Sequence, residues 1–281
     1  MDFPFDFRTH PPGPALAPYV QMLWYARGQV PYNSEQIGPT GTSVAILVLG
    51  DPLEQTPAGG APIASAEGLF IGPHDRPVRN RPLGETHAIG IVTTPVGAGP
   101  CFGVAPRAHR GQVRLLTEVW PHTANLRNTL LTDFPNNPDA QLAHVAHTLE
   151  AHLQPASGGF ARCARAVDTL LGQPSRSIAD IARELGISHA HLDREFARHV
   201  GLTPRMLSRI ARMRALLAAV DTRNGTDWAH AAAELGWYDQ AHLIRDFKRH
   251  MGLTPSQYVA AQRAVYGDLE PGEGAGFAPE A

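Results

Sequence analysis

Between Ser177 and Tyr258 the chain writes one pattern twice, about fifty residues apart, and few folds accommodate such a repeat. The first copy places Ser177, Asp180, Ala182, Gly186, Ser188, Leu192, Arg194 and Phe196 before Gly201-Leu202-Thr203-Pro204. The second places Thr226, Trp228, Ala232, Gly236, Asp239, Leu243, Arg245 and Phe247 before Gly252-Leu253-Thr254-Pro255, with one extra residue in between.

Each copy predicts two short helices and a sharp turn. Ser177 and Thr226 are suited to N-caps, because a hydroxyl oxygen accepts from the free N–H groups of a first turn, and Asp180 stands where a capping box puts its acid. The small residues Ala182 and Ala232 let two helices approach, and Gly186 and Gly236 supply the positive φ of a tight turn. Ser188 and Asp239 then cap a second helix. Leu192 with Phe196, and Leu243 with Phe247, lie four apart and share its buried face, leaving a polar face opposite. Gly201 and Gly252 end that helix, and Thr203-Pro204 and Thr254-Pro255 start the next. These are two helix-turn-helix units.

Residues 160–263 resemble the DNA-binding domain of the AraC/XylS family of bacterial transcription regulators. The two units, the repeated Gly-Leu-Thr-Pro and the run from Gly236 through Trp237, Tyr238, Asp239 and Gln240 to Phe247 occur together and in order. The resemblance implies a double helix-turn-helix domain that reads promoter DNA and an N-terminal sensor domain of cupin-like fold.

Charge is distributed to match. Residues before Ser157 carry 9 basic and 12 acidic groups, residues 157–266 carry 15 and 10, and the remainder carries none and 4. A near-neutral total thus conceals a basic module, as phosphate binding requires. Its cations are Arg except for Lys248, and Arg forks onto phosphate and guanine edges. Cys101 and Cys163 have no pairing spacing, the amino terminus has no signal-like character, and no apolar run approaches a membrane span. A cytoplasmic location with no membrane partner follows as the expectation.

The first 121 residues are rich in Gly and Pro, with apolar runs at 43–49, 68–71 and 88–92 separated by turn signals such as Gly50-Asp51-Pro52, which predicts a small barrel or sandwich of strands. Residues 18–24 fit a leading helix or strand. Leu16 to Val20 with Trp24, the strand end at Gly50-Asp51 and residues 96–104 resemble the cupin-like sensor domain that precedes the DNA-binding module in many AraC/XylS proteins. His74, His87 and His109 are isolated, so neither a metal nor another cofactor is expected. From Thr123 the pattern turns helical: Leu126, Leu130 and Leu131, then Leu142, Val145, Leu149 and Leu153 after Pro135 and Pro138, form a predicted hairpin. Its stripes either cover the β core or build a dimer interface.

The expected architecture is therefore a two-domain chain: an N-terminal mainly-β cupin-like barrel with a helical hairpin (residues 1–154), a linker (155–159), an all-α domain with two helix-turn-helix motifs joined by a long helix (160–266), and a disordered acidic tail (267–281). Phe160 to Leu171 is predicted as a helix with Ala164, Val167, Leu170 and Leu171 inward. Pro204 to about Val220 forms the joining helix, which at ~1.5 Å per residue runs roughly 25 Å and can hold two readers near the ~34 Å repeat of the major groove.

The resemblance places base contacts at Ala190, Asp193 and Arg194, and at Gln240, Ala241, His242 and Arg245. Arg194 and Arg245 suit guanine and Gln240 suits adenine, whereas the two alanines reach only a thymine methyl. The alternative for each arginine is an ion pair with Glu195 or Asp246. Arg198, Arg209, Arg212 and Lys248, with the helix starts at Ser177 and Thr226, are candidates for phosphate contact. Leu192, Phe196, Leu243, Phe247 and Trp228 read as core. The expected partners are double-stranded promoter DNA, a small-molecule effector at an unidentified site, RNA polymerase and a second copy of the chain. No catalysis is expected. The competing classes are a cupin-like enzyme carrying a DNA-binding module, and a regulator whose N-terminal domain binds a protein or only dimerises.

Overall fold

Three unbroken apolar runs become strands buried along nearly their whole length, and the N-terminal domain is built around them: β4 (Val44–Val48), β7 (Gly68–Ile71) and β9 (Thr86–Thr93). The structure, a computed structural model, describes residues 5–222, 225–266 and 276–280. With β1 (Asp6–His10), β2 (Val20–Gly28) and β10 (Val113–Leu115) these strands form a six-stranded antiparallel sheet ordered β1-β2-β9-β4-β7-β10. A second antiparallel sheet is ordered β11-β3-β8-β5-β6, from β3 (Ser34–Ile37), β5 (Leu53–Pro57), β6 (Ile63–Ser65), β8 (Val78–Pro82) and β11 (Phe277–Glu280).

The central runs lack polar alternation because the six-stranded sheet is covered on both faces. On one face Leu23, Leu47, Ile89 and Ile91 share a core with Leu126, Leu130, Leu142, Val145 and Leu149. These leucines and the valine belong to α3 (Thr123–Asp133) and α4 (Pro138–Ala151), which follow two short helices, α1 (Ala98–Phe102) and α2 (Leu116–Val119). The hairpin stripes therefore cover the sheet, and the dimer-seam alternative does not hold for them. On the other face Ile46, Val48, Leu69 and Ile71 meet Leu53 and Val78 of the second sheet.

His87, on β9 opposite Arg27 of β2, is buried between these layers. Burial, and then the Arg27 charge, push its pKa down to about 4 from an ordinary 6.5. The unfolded chain thus takes up a proton below pH 6.5 that the native protein refuses until about pH 4. Stability from this residue is complete above pH 6.5 and is lost as pH falls toward 4, by about 2–3 kcal/mol at pH 4.5. Urea unfolding at pH 7.5 and 4.5 measures it: His87→Gln should narrow the difference between the two pH values, and an unchanged difference refutes the assignment.

The helical domain comprises α5 (Phe160–Gly172), α6 (Ile178–Glu184), α7 (His189–His199), α8 (Pro204–Ala218), α9 (Trp228–Glu234), α10 (Gln240–Met251) and α11 (Pro255–Tyr266). α5 turns Cys163, Ala166, Val167 and Leu170 inward, but Leu171, expected beside them, is 38% exposed. One residue further along a helix is a rotation of about 100°, enough to carry a side chain off the seam. Each helix-turn-helix unit has its own core, and the first includes Val96 from the N-terminal domain.

The expectation of a disordered acidic tail requires correction at its end. Residues 267–275 and 281 lie outside the described residues, but Phe277–Glu280 form β11, antiparallel to β3. Composition alone left this segment no partner; here Ala278, fully buried, completes the core of the second helix-turn-helix unit while its backbone extends a sheet of the other domain.

Candidate nucleic-acid interface

Local capping chemistry sets the recognition helices. The Ser188 hydroxyl accepts from His191 N–H at 3.2 Å and the Asp239 carboxylate from His242 N–H at 2.6 Å, fixing where α7 and α10 begin. Gly186 and Gly236 carry φ of 69° and 79° in the preceding turns, a region closed to most side chains. The first helix of unit one is capped by Ser177, as expected, but that of unit two is not capped by Thr226. Asp227 caps it, accepting from Ala229 and His230 N–H at 3.0 Å, while the Thr226 hydroxyl accepts from Asp221 N–H. The cap of that helix is therefore a carboxylate and not the expected hydroxyl.

Leu192 and Phe196 in α7, and Leu243 and Phe247 in α10, are fully buried. The opposite faces carry the expected readers: Ala190, Asp193 and Arg194 are exposed, as are Gln240, Ala241 and Arg245, with His242 half-buried. Arg194 and Arg245 are each the sixth residue of their helix, so the two units present one cation at the same place.

The proposed ion-pair alternative for these arginines does not hold, because both acids are taken elsewhere. Glu195 is buried and receives Arg162 and His191. Burial works against its charge, but hydrogen bonding from the Arg162 guanidinium prevails and holds the carboxyl below its usual range. Asp246 accepts from Trp237 Nε1 at 3.0 Å and faces His242 at 3.5 Å. No hydrogen bond or ion pair occupies Arg194 or Arg245 among the described residues. His242 is half-buried and turned toward Asp246.

Arg212 also differs from expectation. Its guanidinium lies 5.3 Å from the Trp237 ring centroid and donates from Nη1 to Gly236 O at 2.8 Å, so it braces the second turn rather than facing solvent. Arg198 and Lys248 are exposed and Arg209 half-exposed, and Ser177 lies exposed at its helix start. Trp237, 5% exposed, is the buried aromatic anchor that the sequence did not single out; Trp228, expected in the core, is half-buried against the Phe247 ring. The signal was available in the position of Trp237, which occupies in unit two the place that Ile187 holds in unit one. Tyr238, named in the same run but given no role, is 93% exposed beside the N-cap of α10.

The recognition helices touch the N-terminal domain at their C-terminal ends. Gly201, following α7, lies against Pro73 and Pro106, where a Cβ would come within 2.7 Å of backbone. After α10 comes Gly252, against Pro77; Arg249 pairs with Asp75 at 2.7 Å, and His250 Nδ1 is 3.0 Å from Asp75 O.

A cavity of about 390 Å³ opens between the domains, lined by Gln21, Thr94, Phe160, Asp168, Leu171 and Arg214 among others. Arg214, on α8, makes no hydrogen bond or ion pair among the described residues, and burial disfavours its charge, lowering its pKa. No group of three or more His, Cys, Asp or Glu side chains able to hold a metal occurs among the described residues. Both thiols are buried, which pushes each up to about 12 and leaves them protonated. No helix of the described residues is long and apolar enough to cross a membrane.

Two protein families match this chain. Residues 181–261 match a helix-turn-helix domain, and residues 8–113 match a domain of unknown function, DUF6597. No curated protein matches. Among solved structures the chain is similar to ToxT from Vibrio cholerae O395, at 11% identity and a TM-score of 0.49, with 91% of this chain and 97% of that one covered. Unsaturated fatty acid bound wild-type ToxT from Vibrio cholerae strain SCE256 matches at 10% identity and 0.45, over 92% and 94%. The AraC-like transcriptional activator CuxR matches at 16% identity and 0.28, over 76% and 86%.

Proposed function

We propose that this chain, an AraC-type helix-turn-helix domain joined to an N-terminal domain of unknown function, is a cytoplasmic transcription regulator that reads two successive major-groove segments of promoter DNA. It acts by binding rather than by catalysis. The observation that carries this reading is the matched pair of exposed, unpartnered arginines, Arg194 and Arg245, at the sixth position of two recognition helices. The α8 spacer of 15 residues runs about 22 Å, which suits readers separated by one turn of DNA. Ala190, Asp193, Gln240 and Ala241 complete the base-reading set, and Arg198, Arg209, Lys248 and the Ser177 helix start lie around it for phosphate.

Selection from a random-sequence duplex library tests this. Two conserved half-sites centred about 10 base pairs apart are expected. A single half-site, or no enrichment, overturns the two-reader reading.

A small-molecule effector acting on the N-terminal domain fits the interdomain cavity. Arg214 supports an anionic group there: a carboxylate placed against it would restore a partner to a cation that burial now disfavours, while Phe160 and Leu171 receive an apolar body. Octanoate is a suitable probe, with octanamide as its neutral counterpart. Octanoate should raise the melting temperature of the wild-type protein by a few degrees, and Arg214→Gln should abolish the rise. Equal shifts from octanoate and octanamide would remove the charge argument.

A further inference from the structure

We propose that β11 is an interdomain strap that holds the second helix-turn-helix unit against the N-terminal domain and lowers affinity for DNA until it is released. The proposal rests on the DNA-reading function above and adds its regulation.

The strap has two ends in two domains. Its backbone pairs with β3 in the register Phe277 with Ile37 to Glu280 with Ser34, so it extends the five-stranded sheet of the N-terminal domain. Gly38 N–H donates to Gly276 O at 2.8 Å and Asn33 N–H to Glu280 O at 3.2 Å. The Glu280 carboxylate accepts from the Ser34 hydroxyl at 2.6 Å, from Gln36 Nε2 at 3.0 Å and from Arg79. The other end belongs to the DNA-binding module. Ala278 is buried in the same core as Leu243, Phe247 and Tyr258, and Gln262 of α11 donates to Phe277 O.

Unit two is thereby tied down beside the contacts that Arg249 and His250 make to Asp75. Unit one is seated on Pro73 and Pro106 through Gly201. Both readers are then seated on one protein surface, and neither can reorient independently of the N-terminal domain. The strap adds to that restraint by tying unit two, through Ala278, to the sheet of the N-terminal domain. Its charge acts in the same direction: Glu280, in the strap itself, places a carboxylate beside the module that is to meet phosphate.

The strap is also built to let go. It is four residues long, lies at a sheet edge, and contains Pro279, which has no N–H to give to the ladder. Phe277 is 37% exposed and contributes little burial. A short strand held at a sheet edge can detach locally while the rest of the fold stays intact.

A double variant, Ser34→Cys with Glu280→Cys, tests this in the full-length chain. The two positions are directly paired across the antiparallel ladder, within the Cα separation of ~4.4–6.8 Å that a disulfide spans. The native Cys101 and Cys163 are buried and do not compete. Affinity is measured for the duplex selected by wild-type protein, with the disulfide formed and reduced, alongside a chain ending at Ala275. The expected result is at least tenfold weaker binding when the strap is locked, and tighter than wild-type binding by the shortened chain. Equal affinity in the locked and reduced states, or tighter binding when locked, overturns the strap while leaving DNA reading in place. Failure of every form to bind any duplex overturns both, which separates the two outcomes. A shortened chain that does not fold leaves the locked and reduced comparison decisive.

Discussion

Arg194→Ala and Arg245→Ala are each expected to weaken binding to the selected duplex roughly 5- to 150-fold while leaving binding to random duplex nearly unchanged. That range is the ~1–3 kcal/mol that one bidentate arginine contributes to base discrimination. Because neither side chain is held by a neighbour, neither change should disturb the fold. The steep loss of affinity with rising salt should persist, since it depends on the phosphate-contacting cations left in place. The two sites belong to separate helices with separate cores, so the double variant should show the summed loss. Titration by fluorescence anisotropy at two salt concentrations checks all of this. A uniform drop on selected and random duplex alike would make these arginines phosphate contacts. No drop on either would remove them from the interface.

Phe247→Ala is expected to destabilise the protein by about 3–5 kcal/mol, by loss of burial and by the cavity left behind. Phe247 is fully buried, and its ring meets Trp228 at 6.1 Å and Tyr258 at 5.6 Å in edge-on contact. Phe247 sits in one core with Leu243, Trp237, Met251 and Tyr258, so its loss is felt across the unit, and unit two should melt as a whole. Phe7→Ala, at a side chain 54% exposed, is the matched control and should shift stability by less than about 0.5 kcal/mol. Urea unfolding followed by tryptophan fluorescence distinguishes them. Trp237 and Trp228 lie in the affected core, while Trp24 and Trp120 report on the N-terminal domain. Loss of DNA binding in Phe247→Ala should accompany unfolding. Retained stability would mean the unit tolerates a void at its centre, contrary to close packing.

The helix-turn-helix units were legible because their determinants are local. Ser188 and Asp239 cap helices using N–H groups three residues away, and Gly186 needs only its own φ. Leu192 and Phe196 lie on one face through helical periodicity alone. The same local chemistry misled at Thr226, where two adjacent residues could both cap and the carboxylate of Asp227 prevailed. Arg212 was not legible, because whether an arginine faces phosphate or an indole depends on where Trp237 arrives from the other side of a turn. The hairpin stripes read equally well as a sheet cover or a dimer seam, since periodicity gives a face and not its neighbour.

The sequence by itself determined the two-unit architecture, the start of each recognition helix and which face of that helix is buried, because capping, glycine geometry and apolar period act over a few residues. Only the tertiary structure decided that the six-stranded sheet is covered on both faces, that Arg214 is left unpartnered beside an interdomain cavity, and that the last residues form β11 across two domains. Those outcomes depend on groups more than a hundred residues apart, such as Ser34 and Glu280 or Asp75 and Arg249. Burial and pairing at that range are set by which surfaces meet, and no local pattern along the chain records it.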